Sequence, residues 1–420
     1  MQTRLSPEFA GTPEGLEAEA ILRKCVHCGF CTATCPTYQL LGDELDGPRG
    51  RIYLMKQVLE GEKPTRKTQM HLDRCLTCRN CESTCPSGVQ YGHLLDIGRK
   101  IVDAKVPRPT PEKALRWALK EGLPSPLFAP AMKIGQAVRG LLPAALQAKV
   151  PPRQDAGAWP TRSHARKVLM LAGCVQPSMM PNINAATARV LDAAGIQTVI
   201  APKAGCCGAV KFHLNDQDGG RAEMRANIDA WWPMIASGEV EALVMNASGC
   251  GVTVREYGHF LKDEPAYAAK AQRIGELTRD LSELLPAIVA ALRQSRPERV
   301  PGPPAGDAGA GRHLAFHPPC SLQHGQQLRG AVEQHLAAFG FKVQVARSES
   351  HLCCGSAGTY SVLQPELSHQ LRDRKLVNLA ELKPTAIVSA NIGCIQHLQS
   401  GTATPVKHWV EALDEVLAGV

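Results

Sequence analysis

The stretch at 24–38, KCVHCGFCTATCPTY, and the stretch at 71–92, HLDRCLTCRNCESTCPSGVQYG, carry one and the same cysteine spacing. Cys25, Cys28, Cys31 and Cys35 precede Pro36, and Cys75, Cys78, Cys81 and Cys85 precede Pro86. Each run reads C-x2-C-x2-C-x3-C-P, the spacing that supplies thiolates to a [4Fe–4S] cluster. Three closely spaced cysteines wrap one face of a cube, while the fourth lies too far round the turn and serves the other cluster. The spacing therefore assigns Cys25, Cys28, Cys31 and Cys85 to a first cluster, and Cys75, Cys78, Cys81 and Cys35 to a second. A zinc knuckle would offer two pairs of ligands rather than three cysteines followed by Cys-Pro. A disulfide framework suits a short secreted chain, whereas this one has 420 residues.

The gap between the runs is longer than in a compact bacterial ferredoxin. It holds DGPRGRIYLMKQVLEG (46–61), in which Ile52, Leu54, Met55, Val58 and Leu59 recur at helical spacing. Residues 1–105 therefore read as a largely helical module with two clusters. Arg49 and Arg51 in this stretch either pair with acids of the module or dock a partner.

Composition narrows the rest. Hydrophobic residues make up 44% and charged residues 20%, so the chain is globular. Aromatic residues are only 5%, too few for a base-stacking surface, and nucleic acid is not an expected partner. The net charge of +8 is dispersed, which fits a solvated surface or a weak attraction to an acidic partner or anionic lipid. Sixteen cysteines, two pairs of them adjacent, suit metal ligation in a reducing compartment. No signal peptide and no transmembrane run is expected. The expected location is cytoplasmic, including the periphery of the inner membrane's cytoplasmic face.

Residues 106–165 are punctuated by prolines and read as a helical connector. Within it AMKIGQAVRGLLPAALQ (131–147) places Met132, Ile134, Val138, Leu141 and Leu142 near helical spacing. That pattern predicts a helix packed on its own chain or a partner, with an interfacial membrane helix as the alternative.

From 166 onward the chain repeats itself. The first unit (166–293) runs KVLMLAGC to Cys174, a helical stretch at 183–195, IQTVIAP, GCCG with Cys206 and Cys207, a helix around 221–236, and EALVMNASGC to Cys250. The second (313–420) runs HLAFHPPC to Cys320, GAVEQHLAAFG, FKVQVA, HLCCG with Cys353 and Cys354, a helix at 366–382, and PTAIVSANIGC to Cys394. Between them 294–312 is a Pro/Gly-rich linker. The cysteine offsets are 146, 147, 147 and 144. Strands alternating with helices predict two tandem α/β units with mainly parallel sheets, their cysteines at strand carboxyl ends. The fold class is thus a helical two-cluster module followed by two α/β repeats. Four soft ligands per repeat form a second candidate metal constellation, with buried structural thiols as the bland reading.

Of the histidines, His27 and His93 lie near the runs, and His213, His317, His324 and His351 near the repeats. They are surface or supporting residues, or donors to cluster sulfides that raise the potential. His351, two residues before Cys353, is the foremost candidate. No G-x-G-x-x-G opens a βαβ unit and no hydrolase or metalloprotease motif appears, so neither NAD, flavin nor a catalytic residue is expected on this chain.

The tandem pattern resembles the cysteine-rich CCG domain of heterodisulfide reductases. It departs from the full pattern at Ala247 and Asn391, which stand where the first cysteine of the last pair would be. The whole chain resembles the iron–sulfur subunits of bacterial glycolate oxidase (glycolate dehydrogenase) through KCVHCGFCTATCPTY, DGPRGRIYLMK (46–56), HLDRCLTCRNCESTCPSGVQYG, NASGCG (246–251) and HLCCGSAGTYS (351–361). Subunits of lactate-utilisation and anaerobic glycerol-3-phosphate dehydrogenase complexes share the architecture. The resemblance implies an electron-transfer subunit without activity of its own. Its implied partners are an FAD-containing glycolate oxidase subunit and a second flavoprotein-like subunit, with a quinone or other membrane acceptor beyond. The alternative from another class is a non-redox scaffold whose clusters only hold the fold.

Overall fold

The computed structural model describes residues 1–147, 149–303 and 312–419. Its first unit is built from helices Pro13–Lys24, Pro48–Leu59, Arg66–Asp73 and Tyr91–Lys105, with short helical turns between them. Proline opens two of these, where its missing N–H costs no helical bond. Thr12 caps the first helix by accepting from Gly15 N at 3.1 Å, and Thr65 forms a reciprocal capping box with Thr68. The helical spacing at 52–59 puts Ile52, Met55, Val58 and Leu59 against Leu94, Leu95 and Val102 in one core. Each buried side chain of this size contributes about 1.5–3 kcal/mol.

The connector departs from the pattern at 131–147. Its helix is Phe128–Ala137, followed by a 3-10 turn at Arg139–Leu141 and a single turn Ala144–Gln147. Pro143 lacks the N–H that would continue the ladder, so one long helix cannot form. The helix meets the short helix Gln176–Met179 along one side, where Gln136 Nε2 donates to Ser178 O at 3.3 Å, while Leu127, Ile134 and Leu141 are 74%, 65% and 87% exposed. Among the described residues, no helix is long and apolar enough to cross a membrane.

Two four-stranded parallel sheets follow. Strands β1 (Arg166–Met170), β2 (Ile196–Val199), β3 (Ala242–Met245) and β4 (Thr278–Asp280) take the order β2-β1-β3-β4. Strands β5 (His313–Phe316), β6 (Lys342–Val345), β7 (Ala386–Ser389) and β8 (Val406–His408) repeat it as β6-β5-β7-β8. Hydrophobic patterning finds three strands per unit and misses β4 and β8. Each is three residues long with a charged residue at its centre, Arg279 or Lys407, too little for a periodic signal.

The two sheets share a core that runs from Val168 to Leu417. Helix Pro181–Ala193 of the first repeat packs on Trp409–Ala418 of the second, and Leu285–Ser295 packs on Ala331–Leu336. The exchange is reciprocal, an early helix of each repeat meeting the last helix of the other. Arg189 and Asp414 tie the seam at 2.6 Å. Of the linker at 294–312, residues 304–311 lie outside the described residues.

Candidate functional site

Both cysteine runs fold as loops that turn through the left-handed region. His27 and Gly29 have φ of 57° and 86°, and their counterparts fifty residues on, Thr77 and Arg79, have 52° and 57°. At Gly29 a Cβ would meet only the far end of the Arg49 side chain, which can move aside, so it is the positive φ that favours glycine there. The repeated turn lets three sulfurs of each run face one point, and each fourth cysteine then opens away before its proline.

Two cavities result. Cys25, Cys28, Cys31 and Cys85 line one, with Arg49, Ile52 and Tyr91 among its walls. Cys35, Cys75, Cys78 and Cys81 line the other, with Thr37, Arg51 and Tyr91. The fourth cysteine of each run thus stands at the other run's cavity, and Cys81 and Tyr91 border both. Thr34 and Thr84 meet at 3.1 Å between the two loops. Burial and the neighbouring cysteines push the Cys31 thiol up to about 11, and raise Cys78 and Cys81 well above the ordinary range. Thiols this close lose protons together only when a cation balances them. The donor set and its wrapped loops fit iron–sulfur clusters.

The two arginines separate. Arg49 pairs with Glu44 at the surface. Arg51 is fully buried and donates to His71 O at 2.7 Å, Thr37 Oγ1 at 3.1 Å and Asp46 Oδ1 at 3.3 Å. Burial opposes its charge, but Cys75, Tyr91, Cys35 and Asp46 hold the guanidinium protonated. It is a fixed positive charge beside the second cavity. Tyr91, whose hydroxyl lies 3.6 Å from Cys75 Sγ, was not singled out by spacing.

Each repeat gathers its four cysteines at the carboxyl ends of its strands. Cys174 follows β1 and Cys250 sits in the helix Ser248–Arg255 after β3. Cys320 follows β5 and Cys394 sits in Ile392–Gln399 after β7. The Cys-Cys-Gly loops turn at Gly208 and Gly355, with φ of 93° and 91°. A Cβ at these glycines would meet backbone carbonyls, Gly220 O at 2.8 Å and Ser368 O at 2.3 Å, so glycine is required. Backbone N–H groups of Gly208 and Gly355 donate to Cys206 Sγ and Cys353 Sγ, both at 3.4 Å.

In the first quartet Cys206 accepts from Cys174 and Cys207, which holds it low, at about 3, while Cys174 and Cys207 are raised. Glu223 lies beside Cys206, and burial with that neighbour pushes its carboxyl up to about 8. In the second, Cys320 and Cys353 sulfurs are 3.8 Å apart, and the Cys320 thiol is raised by Cys353 and burial. Cys320 opposes the rise that Cys354 and burial give Cys353, and Cys353 opposes the rise that Cys394 and burial give Cys354. Asn391 donates to Cys394 Sγ at 3.8 Å and accepts from Gly249 N at 3.2 Å, so it joins the repeats at the position where Ala247 stands in the first. Both quartets have the softness and convergence that fit iron.

The module docks on both repeats. Leu76 and Cys78 pack with Cys320, Cys353, Tyr360, Leu367 and Leu371 of the second. Asn80 Nδ2 donates to His351 O at 3.3 Å, and Tyr360 OH to Arg74 O at 3.2 Å. Arg79 pairs with Glu256 of the first at 2.7 Å. The histidines take varied roles. His351 contributes its carbonyl, which also accepts from His324 Nε2 at 2.8 Å, and His324 Nδ1 faces Ser83 Oγ at 3.0 Å. His317 Nδ1 faces Ser389 Oγ at 3.1 Å. His213 is held down to about 4, first by burial and then by Arg99 and Arg79. His27 stacks edgewise on Tyr53, and His93 reaches Glu256 at 3.3 Å.

A family model described as "4Fe-4S dicluster domain" matches residues 21–89, and one described as "Cysteine-rich domain" matches 168–255 and 314–399. The "Glycolate oxidase iron-sulfur subunit" of Escherichia coli (strain K12) is 54% identical over 99% of both chains. The "Probable glycolate oxidase iron-sulfur subunit" of Bacillus subtilis (strain 168) is 30% identical over 91% of this chain and 89% of its own. "Lactate utilization protein A" of Bacillus velezensis is 25% identical over 55% of this chain and 90% of its own. With that identity along its whole length, and the two family models covering its cysteine-bearing segments, the chain belongs to the family of glycolate oxidase iron–sulfur subunits.

Proposed function

We propose that this chain is the electron-transfer subunit of a glycolate dehydrogenase, receiving electrons from flavin-bearing subunits and passing them towards a quinone or other membrane acceptor. The observation that carries the reading is the pair of adjoining cavities, each lined by thiols from both runs. In this reading Cys25, Cys28, Cys31 and Cys85 hold one [4Fe–4S] cluster, and Cys75, Cys78, Cys81 and Cys35 the second. Clusters bound there supply one-electron steps between a two-electron flavin donor and the acceptor.

The chain's own residues set the conditions. Ile52, Pro48 and Tyr91 limit water at the cavities, and Arg51 places a buried charge that favours the reduced state at the second. Two neighbouring centres suit a wire, whereas a structural role needs only one. Cys174, Cys206, Cys207 and Cys250, and likewise Cys320, Cys353, Cys354 and Cys394, are proposed to hold further iron–sulfur centres. The second quartet adjoins Cys78, which supports a path out of the module through it.

The test is reconstitution. The anaerobic chain alone is expected to hold iron and sulfide and to leave glycolate unoxidised. Adding the flavoprotein subunits is expected to give glycolate-dependent reduction of its clusters, seen by electron paramagnetic resonance. Clusters that stay oxidised in the assembled, glycolate-treated complex would sink the proposal; reduction by lactate instead would move the substrate to the lactate-utilisation class.

A further inference from the structure

The first repeat contains a donor without a counterpart in the second. Glu223 sits six residues into the helix Gln217–Ala236, which follows Cys-Cys-Gly and the short helix Ala209–His213. Its side chain is 17% exposed, and Oε2 is fully shielded with no hydrogen-bond partner. Oε1 lies 3.5 Å from Lys211 Nζ, a cation that is shared with Glu121 at the same distance. Glu223 lies beside Cys206, Cys206 beside Cys174 and Cys207, and Cys207 beside Cys250. Four sulfurs and one carboxylate thus form a single connected set.

The second repeat gives the register for comparison. Gly208 is closed over by Gly220 and Met224, and Gly355 by Ser368 and Leu371. Met224 and Leu371 are separated by the same 147 residues as Gly208 and Gly355, and at that offset Glu223 corresponds to Gln370, which is exposed. The two repeats also differ where the family pattern has lost a cysteine. Asn391 keeps a polar group there, in contact with Cys394 Sγ, whereas Ala247 offers none. The first quartet lacks that polar group, and its fifth neighbour, Glu223, comes from the helix beside Cys206.

A carboxylate oxygen shielded from water beside thiols is costly unless a cation compensates it. Lys211 meets only the other oxygen. Carboxylate oxygen is an accepted ligand for iron, as in the two-histidine, one-carboxylate sites of non-haem Fe(II) enzymes. Resting on the reading of the first quartet as an iron–sulfur centre, we propose that Glu223 is an oxygen ligand to iron there, at the Cys206 end of the quartet. The carboxyl binds as carboxylate, its proton passing to solvent when the centre assembles. The two repeat centres are then unlike: one ligated by sulfur and oxygen, one by sulfur with Asn391 at its edge.

The experiment uses the full-length chain prepared anaerobically, with iron, acid-labile sulfide and the paramagnetic spectrum of the reduced protein as readouts. Cys207→Ser tests the underlying reading, and Glu223→Ala and Glu223→Cys test the proposal, with Gln370→Glu as control. Expected is loss of the same spectral component in Cys207→Ser and Glu223→Ala, its return with shifted g-values in Glu223→Cys, and no change in Gln370→Glu. If Cys207→Ser loses that component while Glu223→Ala keeps it unshifted, Glu223 is no ligand and the reading of the quartet stands. If Glu223→Ala loses it and Glu223→Cys does not restore it, Glu223 holds the fold rather than the metal. If Cys207→Ser retains all iron and an unaltered spectrum, the reading and the proposal fall together.

Discussion

The two repeats share strand order, glycine turns and cysteine placement, yet they meet the cluster module by different physics. The second presents an apolar surface, Tyr360, Leu367 and Leu371, to Leu76 and Cys78. The first presents charge: Glu256 to Arg79 and His93, and His259 with Lys262 to Glu17. His93 and His259 stack at 3.8 Å between those carboxylates. Duplication fixes a topology, and each copy's surface is then free to specialise. The apolar contact brings the second quartet close to a module cysteine, which a wire needs. The charged contact holds the first repeat in orientation and makes that seam sensitive to pH and salt.

The largest effect is expected within the module. Cys28→Ser and Cys78→Ser should each remove one cluster, about four irons per chain, and leave the repeats folded by circular dichroism. Only Cys78→Ser should also disturb the second repeat's thiols, read as faster alkylation of Cys353. Equal reactivity of Cys353 in both variants would break the asymmetry.

Next comes the apolar seam. Leu371 is 1% exposed, and Leu371→Ala should cost about 2–5 kcal/mol, measured by denaturant unfolding of the complete chain. Hydrogen exchange should rise at 360–371 and stay low at 248–255. At the charged seam Glu256→Gln should cost less, about 1–3 kcal/mol, and the loss should shrink at high salt because Arg79 and His93 then lose a screened partner. A salt-independent loss would make this seam equivalent to the other.

The smallest effect is the pH dependence. Burial works against the charge on His93, but Glu256 outweighs it and raises the imidazole above 6.5. Stability from that protonation is present below pH 6.5 and disappears as pH climbs through the raised value. Burial likewise opposes the charge on Glu256, but His93 and Arg79 bring it from 4.5 to about 2. Glu17 is lowered from 4.5 to about 2, chiefly by His259. Stability from both carboxylates is present above pH 4.5 and disappears as pH falls towards 2. These groups favour docking of the first repeat between pH 4.5 and 6.5, opposed there by His213, held down to about 4, and by Asp96, raised from 3.8 to about 6. At the second repeat His324, held down to about 4 by burial, weakens docking as pH falls below 6.5. Hydrogen exchange at Ser248–Arg255, corrected for intrinsic rate, measures this; a flat profile there would show that the stacked histidines do not titrate with docking.

Much of the architecture is legible in the cysteines because a metal-binding run fixes spacing, and spacing survives in one dimension. The same holds for the repeats, whose strand carboxyl ends and Cys-Cys-Gly turns recur at near-constant offsets. The β4 and β8 strands escape because three residues carry no period. The period at 131–147 misleads because Pro143 breaks what the apolar pattern promises.

What the sequence determined by itself was the kind of chemistry, since thiol ligands, left-handed turns and repeat order are local properties of the chain. Tertiary structure decided which groups stand beside the thiols. Arg51 and Arg49 are two residues apart, and only packing puts one in the interior against Asp46 and the other at the surface with Glu44. Glu223 reaches Cys206 across a helix–loop contact, and Cys78 meets Cys320 and Cys353 across a distance of more than two hundred residues in the chain. Such neighbours obey no spacing rule, because they are set by how helices and sheets close on one another, and burial then decides the charge each group can carry.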